Sequence, residues 1–343
     1  MRILWLAPWF STLSVAWANG LRNLGHEVVV VTTDSHFDAP EPHARDIVLS
    51  HKWRTRPGAV EFIGAARQVR SFAAQVVVSE IGRDPRFLAL LPRRVPIVTT
   101  THDARPHDTA NRTPLMRRVA AATLRSRTDL EVVFSEHVKL ALGSRGHPVT
   151  VVPLTSEMPE SQTPHFVPAK GRRDFLVVGR LSQYKNVPSI LTAFEMHQNS
   201  PSYQGDRLVL FGGGDPGCEI PADVEWVRGR YSFADLAPRL ASAKASICLY
   251  SAGSQSGVQV LSAQCGVRTV VSDVGGLGEY LPHGEVALSP HDHDALADAF
   301  GMLADPVRAA HDGALHRELY ESTFSNAATA KVWDAALSAV AAV

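Results

Sequence analysis

The feature that most constrains this chain is a series of short apolar runs, rich in β-branched residues, that recur along most of its length. They occupy residues 2–6, 27–32, 75–78, 96–100, 130–134 and 149–152, and then 175–178, 208–211, 245–249 and 269–271. The runs are almost continuously apolar, as in strands that are buried on both faces of a parallel sheet. Helical patterns of about 10–15 residues separate them, which indicates β-α-β crossovers. The sequence therefore predicts an α/β fold.

Length and one polar segment predict two doubly wound parallel-sheet domains. The 343 residues suit two domains of about 100–200 residues each. The segment 155–164 is polar, contains two prolines and ends one set of runs, as linkers do. We expect a Rossmann-like domain over 1–155, a linker over 156–170, a second Rossmann-like domain over 171–325, and a C-terminal helix over 326–343 that returns to the first domain. Such domains bind ligands at the carboxyl ends of their strands, here in a cleft between them.

Composition excludes several classes of protein. With 45% hydrophobic and 20% charged residues, the chain is not a disordered, collagen-like or coiled-coil protein. No apolar run approaches the roughly 20 residues that span a bilayer, and the first residues do not resemble a secretory signal. Three cysteines are too few for a disulfide framework. We therefore expect a cytoplasmic protein, and nucleic acid is not an expected partner.

The net charge of zero conceals an asymmetry. Residues 1–153 contain 20 Lys and Arg against 13 Asp and Glu, and the remainder contains 14 against 21. Opposite charges indicate two domains with different partners, or simply attraction between the halves. The segment 112–127 holds five arginines interleaved with apolar residues. This pattern is typical of a basic amphipathic helix that binds an anionic acceptor or the inner face of the membrane, or of an ordinary surface helix.

A basic loop at a strand end is the first chemical signal. The run 175–178 stops at Gly179, and Arg180 and Lys185 follow before the next helical stretch. Arginine presents a planar fork to phosphate oxygens and lysine presents a point charge. The free N–H groups of a helix N-terminus also favour an anion. We expect Arg180 and Lys185 to bind a phosphate; the alternative is a pair of solvated surface cations.

Two further strand ends in the second half carry glycines and small polar residues. The stretches after the runs 245–249 and 269–271 contain Ser254, Gly257, Ser262, Gly275, Gly276 and Glu279. Glycines let backbone amides approach a ligand closely, and consecutive glycine amides form an anion-binding nest. Hydroxyl and carboxylate oxygens bind sugar hydroxyls. We predict that these residues bind a ligand together with Gly179; the alternative for each loop is a tight turn with a helix-capping acid.

The first half offers a histidine at a strand end. His102 and Asp103 directly follow an apolar run, where a histidine donates a hydrogen bond to a ligand or takes a proton. The alternative is a histidine that only satisfies a nearby carbonyl. We also include Glu80 and Trp9, together with Asp103, in the predicted site.

Three other motifs are set aside. The glycine run 212–217 fits G-x-G-x-x-G after a strand, but Pro216 and the segment that follows break the helix that a dinucleotide site requires. The sequence His-Asp-His-Asp at 291–294 resembles a metal cluster, but its position at a helix start is typical of a capped, solvated turn. Ser135 most simply caps the helix that begins after it. We therefore expect no metal site and no nicotinamide cofactor.

In their order along the chain, these stretches resemble the GT-B glycosyltransferases of family 4. Residues 178–185 are similar to the G-R-L-x-x-x-K motif of that family, and 208–214 are similar to its V-G-x-G turn. Residues 250–271 align with its P-S-x-x-E-G-F-G…E-A-x-A-x-G-x-P-V-V region, and 273–279 with its G-G-x-x-E loop. The resemblance implies two Rossmann-like domains that face each other across a cleft, with the donor on the second.

The resemblance also implies a reaction, in which a sugar moves with retention from a nucleoside diphosphate sugar to an acceptor hydroxyl or amine. In the family the positions of Arg180 and Lys185 bind the donor diphosphate, and a histidine at the position of His102 lies close to the transferred sugar. The departing phosphate oxygen takes the acceptor proton, so no dedicated base, metal or cofactor is implied. In this architecture the acceptor binds on the first domain, so the resemblance implies that Asp103, Glu80 and Trp9 are on the acceptor side; an anionic or membrane-surface acceptor and a homodimer are left open.

One pair of positions departs from the family. The two glutamates of the E-x7-E pattern fall on Ser254 and Ser262, and the second of them usually holds the donor ribose. A hydroxyl carries no charge and makes a weaker contact than a carboxylate. Two alternatives therefore stay open: a pseudo-glycosyltransferase that forms a non-glycosidic bond, and a catalytically silent paralogue that binds a nucleotide.

Overall fold

A computed structural model of the chain describes residues 1–9, 11–34, 43–50, 55–80, 86–104 and 115–342. They divide into two compact units: unit 1 comprises Met1–Glu157 and Asn326–Val343, and unit 2 comprises Met158–Ser325. Within the described residues, no helix combines the length and the apolar character that a membrane span requires.

Unit 1 is built on a parallel sheet. Its strands in the described residues are β1 (Arg2–Leu6), β2 (Glu27–Thr33), β3 (Ile47–Leu49), β4 (Val76–Glu80), β5 (Ile97–Thr101), β6 (Leu130–Val133) and β7 (Val149–Val151). Their order across the sheet is β3-β2-β1-β4-β5-β6-β7, and all pairs are parallel. Side chains on both faces of β4 are buried, which explains why the strand is a continuous apolar run.

In the part of the chain that the structure describes, two of the first five helices begin with a side-chain cap. These five are α1 (Ser11–Asn23), α2 (Arg56–Phe72), α3 (Arg86–Leu90), α4 (Leu115–Arg125) and α5 (Glu136–Leu142). The hydroxyl of Thr55 accepts a hydrogen bond from the Gly58 N–H at the start of α2. The hydroxyl of Ser135 accepts from the Val138 N–H at 3.2 Å, so the prediction that Ser135 caps a helix is confirmed.

Unit 2 is a second parallel sheet with helices between its strands. The strands are β8 (Arg173–Val178), β9 (Leu208–Phe211), β10 (Glu225–Val227), β11 (Ala243–Cys248) and β12 (Thr269–Val271), in the order β10-β9-β8-β11-β12. The helices are α6 (Val187–Gln198), α7 (Phe233–Ala241), α8 (Gly257–Gln264), α9 (His293–Ala304) and α10 (Pro306–Leu319). A cluster of buried side chains around Phe175, Phe194 and Phe300 forms one part of the core, and another contains Leu176 and Leu240.

The last helix, α11 (Asn326–Ala341), lies in unit 1. Its Trp333 is fully buried, with ring centroids 4.9 Å from Trp5 and 5.5 Å from Trp17. Gly20 on α1 permits this contact, because a Cβ at that position would lie 2.6 Å from the Asn326 carbonyl oxygen. The C-terminal helix therefore completes the core of unit 1.

The segment that we expected to be a linker packs on unit 2 from Met158 onwards. Met158 is buried in a core cluster of that unit. The side-chain amide of Gln264 donates to the Thr163 hydroxyl at 2.8 Å and to the Met158 carbonyl oxygen at 3.3 Å. These contacts fix the polar segment to the surface of the unit that follows it.

The two parallel sheets confirm the α/β prediction, with one kind of omission. The sequence reasoning did not find β3 and β10, which have three residues each and lie at sheet edges. The edge strands β7 and β12 are equally short but were predicted, because they consist entirely of β-branched residues, which β3 and β10 do not.

Candidate functional site

The site in unit 2 lies where β8 and β11 end side by side. The chain passes from β8 to β9 on one side of it, whereas β11 pairs with β8 on the other side. The strand order therefore reverses between β8 and β11, and ligands of open α/β sheets bind at such a point. The loops that follow these two strands touch: the Ser251 N–H donates to the Tyr184 carbonyl oxygen at 2.8 Å.

Lys185 is buried at this point. It ends a 3-10 turn, Gln183–Lys185, just before α6, and only 3% of it is exposed. Its ammonium donates to the Val178 carbonyl oxygen at 2.9 Å and to the Tyr250 hydroxyl at 2.7 Å. The prediction of a lysine near a helix start is confirmed, and the alternative of a solvated cation is wrong for Lys185.

Burial also sets the charge of this side chain. Desolvation lowers the pKa of Lys185 to about 8; the Cys248 thiol opposes that shift and the Arg180 guanidinium adds to it. The ammonium therefore still carries most of its charge at neutral pH. Arg180 is exposed, yet its guanidinium is close enough to lower the pKa of Lys185. Two cations, one fixed and one at the surface, stand at the end of β8.

The glycines after β8 and β9 are there because backbones approach closely. Gly179 has φ +102°, and a Cβ on it would lie 3.2 Å from the Lys185 ammonium nitrogen. A Cβ on Gly212 would lie 2.2 Å from the Gly179 carbonyl oxygen, and one on Gly214 would lie 2.0 Å from that of Leu181. No helix follows the glycine run until α7, so the decision against a dinucleotide fingerprint is confirmed.

The loops after β11 and β12 are also packed together. Gly275 has φ +63°, and a Cβ on it would lie 1.7 Å from the Gly253 carbonyl oxygen. The Gly276 N–H donates to the Ser254 carbonyl oxygen at 3.0 Å. This amide is used inside the chain, which removes it from the predicted anion-binding nest. Glu279 lies in the next 3-10 turn, Leu277–Tyr280, and is exposed.

The two serines at the E-x7-E positions are both buried. Ser254 is 6% exposed and Ser262 is fully buried. The Ser262 hydroxyl donates to the Val258 carbonyl oxygen at 2.8 Å, one turn back in α8. Its hydrogen bond therefore serves its own helix, and the ribose contact expected of this position has no support in the structure. Gly257, in contrast, is the first residue of α8 and is exposed.

In unit 1, the predicted residues follow neighbouring strands. Trp9 lies after β1 and is half exposed, and Glu80 ends β4 and is buried, where it accepts a hydrogen bond from the Ser14 hydroxyl at 2.5 Å. His102 and Asp103 follow β5. Because β1, β4 and β5 are adjacent and parallel, these four residues lie along one edge of the sheet.

His102 is a neutral imidazole at physiological pH. Its ring centroid lies 4.5 Å from that of Phe134. Burial lowers its pKa to about 4, although the nearby Asp103 carboxylate acts in the opposite direction. A histidine in this state is a weak base, so the structure favours hydrogen bonding over proton abstraction among the roles we considered.

Two further motifs can be placed. The Asp292 carboxylate accepts from the Ala295 N–H at 2.9 Å at the start of α9, which confirms the predicted capped turn. The predicted basic segment 112–127 includes α4, where Leu124 is buried and Val119 is exposed; Arg112 lies outside the described residues. Sequence reasoning missed Tyr250 as a partner of Lys185, since a tyrosine after an apolar run is an ordinary core residue.

Comparison with known families identifies part of unit 2. Residues 172–305 match the family model described as glycosyl transferases group 1. This match covers less than half of the chain. It extends from the residue before β8 to the residue after α9, and it contains Arg180, Lys185 and the loops after β11 and β12. No curated protein sequence matches the chain.

Solved structures share the fold over nearly the whole chain. A sucrose-phosphate synthase from Thermosynechococcus elongatus is 18% identical with a TM-score of 0.71, over 99% of this chain and 100% of that one. HepE of Anabaena, in complex with UDP and glucose, is 15% identical with a TM-score of 0.68, over 99% of this chain and 100% of that one. A structure described as trehalose-6-phosphate from E. coli, bound with UDP-2-fluoro glucose, is 12% identical with a TM-score of 0.66, over 98% of this chain and 99% of that one.

At these identities the likeness shows the fold. It is the GT-B fold, with two parallel-sheet domains, as the sequence predicted. Together with the group 1 domain it supports a glycosyltransferase.

Proposed function

We propose that this chain transfers a sugar, with retention, from a nucleoside diphosphate sugar to an acceptor hydroxyl or amine. The observation that carries the proposal is the buried ammonium of Lys185, held at the ends of β8 and β11 with Arg180 close by. A departing diphosphate gains negative charge as the bond to the sugar breaks. Fixed cations stabilise that charge more in the transition state than in the ground state.

Uridine diphosphate is the nucleotide that we propose for the donor. HepE was solved with UDP, and the E. coli structure was solved with UDP-2-fluoro glucose. The sugar and the acceptor are not specified by any contact in unit 2. An anionic acceptor is compatible with the excess of 20 basic over 13 acidic residues in 1–153, because such a surface attracts anions.

The remaining predicted residues have supporting roles in this proposal. The exposed Gly257 N–H at the start of α8 and the Glu279 carboxylate contact the donor, and neutral His102 donates a hydrogen bond to a sugar hydroxyl. Asp103, Glu80 and Trp9 stay on the acceptor side. The departing phosphate oxygen accepts the acceptor proton, and Arg180 and Lys185 supply the positive charge without a metal or a cofactor.

One observation favours a second candidate function. Because the Ser262 hydroxyl is buried and donates to its own helix, the position that holds the ribose in the family presents no exposed carboxylate here. A chain that has lost this contact fits a pseudo-glycosyltransferase or a silent nucleotide-binding paralogue. Both would keep the cations of the β8 loop, so nucleotide binding alone does not separate them from a glycosyltransferase.

Turnover separates these functions. The chain is incubated with UDP-, GDP-, TDP- and ADP-linked sugars and a panel of hydroxyl and amine acceptors, and proton NMR follows the anomeric signal. We expect release of UDP and a product with the anomeric configuration of the donor. An inverted product would overturn retention, and nucleotide binding without any turnover would favour the silent paralogue.

A matched pair of variants tests the role of the cations in that assay. Arg180→Ala combined with Lys185→Ala removes both and is expected to abolish turnover. Arg173→Ala removes an exposed arginine from the opposite end of β8 and is expected to react like the unmodified chain. Full turnover by the double variant would contradict the diphosphate role.

A further inference from the structure

The partner of Lys185 is unusual for a phosphate-binding lysine, because it is a neutral hydroxyl inside the protein. Tyr250 is 3% exposed and lies just after β11. Its hydroxyl accepts the hydrogen bond from the Lys185 ammonium at 2.7 Å and lies 3.1 Å from the Ser256 hydroxyl. Lys185, Tyr250 and Ser256 thus form a hydrogen-bonded chain from the loop after β8 to the residue before α8.

We propose that Tyr250, braced by Ser256, is a positioning residue that aims the Lys185 ammonium at the diphosphate of the donor, an inference that rests on the proposed function. An ammonium has three N–H donors. The Val178 carbonyl oxygen takes one and the Tyr250 hydroxyl takes another. The direction of the third is then fixed, and this N–H is the one left for a phosphate oxygen.

A hydroxyl suits this task better than a carboxylate. A carboxylate at the position of Tyr250 would fix the lysine equally well, but it would also cancel the positive charge that the diphosphate needs. A tyrosine hydroxyl accepts a hydrogen bond and stays neutral. Burial raises the pKa of Tyr250 well above its ordinary value, so the hydroxyl keeps its proton over the whole range in which Lys185 titrates.

The groups around the ammonium leave Tyr250 and Val178 as the acceptors that hold it. Arg180, from the loop after β8, disfavours the charged form of Lys185. Cys248, at the end of β11, favours it, but burial raises the pKa of the thiol itself. The Tyr184 ring lies 5.7 Å from the ammonium nitrogen, and the Tyr250 ring lies 4.4 Å from it. Removing the Tyr250 hydroxyl therefore destabilises the protonated form of Lys185.

The pH at which UDP affinity falls therefore tests the proposal, because a tyrosine that only supports the fold would not change it. UDP is titrated calorimetrically into the unmodified chain and into Tyr250→Phe between pH 6.5 and 9. The affinity of the unmodified chain is expected to fall as the pH rises through about 8. In Tyr250→Phe we expect that midpoint to move down by about one pH unit, with about threefold weaker binding at pH 7.5.

Two more variants keep the outcome clear. Ser256→Ala retains the tyrosine but removes its brace, and a smaller downward shift of about half a pH unit is expected. Tyr203→Phe removes a hydroxyl from a tyrosine after α6, whose ring packs against His197, and is expected to bind UDP like the unmodified chain. Thermal unfolding of each variant confirms that it is folded.

The results separate this inference from the proposed function. If the unmodified chain binds UDP and Tyr250→Phe keeps both its affinity and its midpoint, the positioning role is overturned while the donor site stands. If Tyr250→Phe does not fold, an unchanged midpoint in Ser256→Ala overturns it instead. If the unmodified chain binds no nucleoside diphosphate, the proposed function fails and this inference fails with it.

Discussion

Both sheets bury a titratable side chain where their strands end, but the charge that results differs. In unit 1, burial lowers the pKa of His102 to about 4, so the imidazole is neutral at pH 7. In unit 2, burial lowers the pKa of Lys185 to about 8, so the ammonium is still mostly charged at pH 7. Desolvation thus leaves a neutral imidazole at the edge of unit 1 and an ammonium at the edge of unit 2, which we call the cationic edge.

The comparison shows how little a charge count says about a site. The cationic edge belongs to the part of the sequence in which acidic residues outnumber basic ones, 21 against 14. A single ammonium that is oriented by Val178 and Tyr250 acts on a ligand more strongly than many solvated charges do. The excess of basic residues in 1–153 belongs to the sequence of unit 1, yet the imidazole of His102 in that unit is neutral.

The largest change in stability is expected from Gly275→Ala, which tests how firmly the cationic edge is built. A Cβ there would lie 1.7 Å from the Gly253 carbonyl oxygen, at φ +63°. We expect the free energy of unfolding in urea to fall by about 3 kcal/mol or more. Gly257→Ala is the control, since its Cβ meets nothing within 4 Å. Equal unfolding midpoints for the two variants would contradict the packing of these loops.

Lys185→Met tests how much burial of the Lys185 ammonium destabilises the folded chain. The folded pKa of about 8 is below the ordinary value of 10.5, so the unfolded chain binds the proton more tightly. The free energy of unfolding of the unmodified chain therefore rises between pH 8 and 10.5, because the folded chain has already released the Lys185 proton and the unfolded chain has not. The variant has no group that titrates at this position, so we expect its free energy of unfolding, relative to that of the unmodified chain, to fall by up to about 3 kcal/mol over that range. Parallel profiles from urea unfolding at each pH would refute it.

Gly20→Ala tests whether α11 is part of the core of unit 1. A Cβ on Gly20 would lie 2.6 Å from the Asn326 carbonyl oxygen and 2.9 Å from the Ala330 Cβ. Separation of α1 from α11 is expected to cost about 2 kcal/mol. Gly64→Ala on α2 has open space around its Cβ and should stabilise the chain by about 0.5–1 kcal/mol. If both variants shift the unfolding midpoint in the same direction, the close contact between α1 and α11 is contradicted.

The smallest effect is expected at the edge of unit 1, from His102→Asn. The folded pKa of about 4 is below the ordinary value of 6.5, so the unmodified chain loses stability as the pH falls from 6.5 towards 4. Because His102 is only partly buried, solvent screens part of this effect, and the variant should lose about 1–2 kcal/mol less over that range. His137→Asn, at an exposed histidine of α5, serves as the control. Identical acid profiles for the unmodified chain and His102→Asn would show that His102 is not enclosed as described.

The parts that the sequence could predict are those in which neighbouring residues cooperate. The long apolar runs mark most strands of both sheets, and Gly179, Arg180 and Lys185 follow a strand closely enough to be placed at its end. The edge strands β3 and β10 lack the unbroken run of β-branched residues that the equally short β7 and β12 have. Ser135 and Asp292 were placed correctly as caps because a cap acts within three residues of its own position.

Contacts between distant loops could not be predicted in this way. Tyr250 meets Lys185 across 65 positions of the sequence, and no local pattern distinguishes it from an ordinary buried aromatic residue. The same holds for Gly276, whose amide bonds to Ser254 instead of remaining for a ligand. At Ser262 the competing contact is local, a bond to the preceding turn of α8. A serine in a helix has this option, and the sequence does not say whether it is used.

The central claim is that the cationic edge of unit 2 binds a nucleoside diphosphate. The most direct test is calorimetric titration of UDP, GDP, TDP, ADP and NAD into the unmodified chain, into the Arg180→Ala and Lys185→Ala double variant, and into Arg173→Ala. We predict that UDP binds the unmodified chain and Arg173→Ala equally well, and that the double variant binds it at least about 100-fold more weakly, a loss of about 3 kcal/mol. Equal binding by the double variant, or binding of no nucleoside diphosphate to the unmodified chain, would contradict the claim.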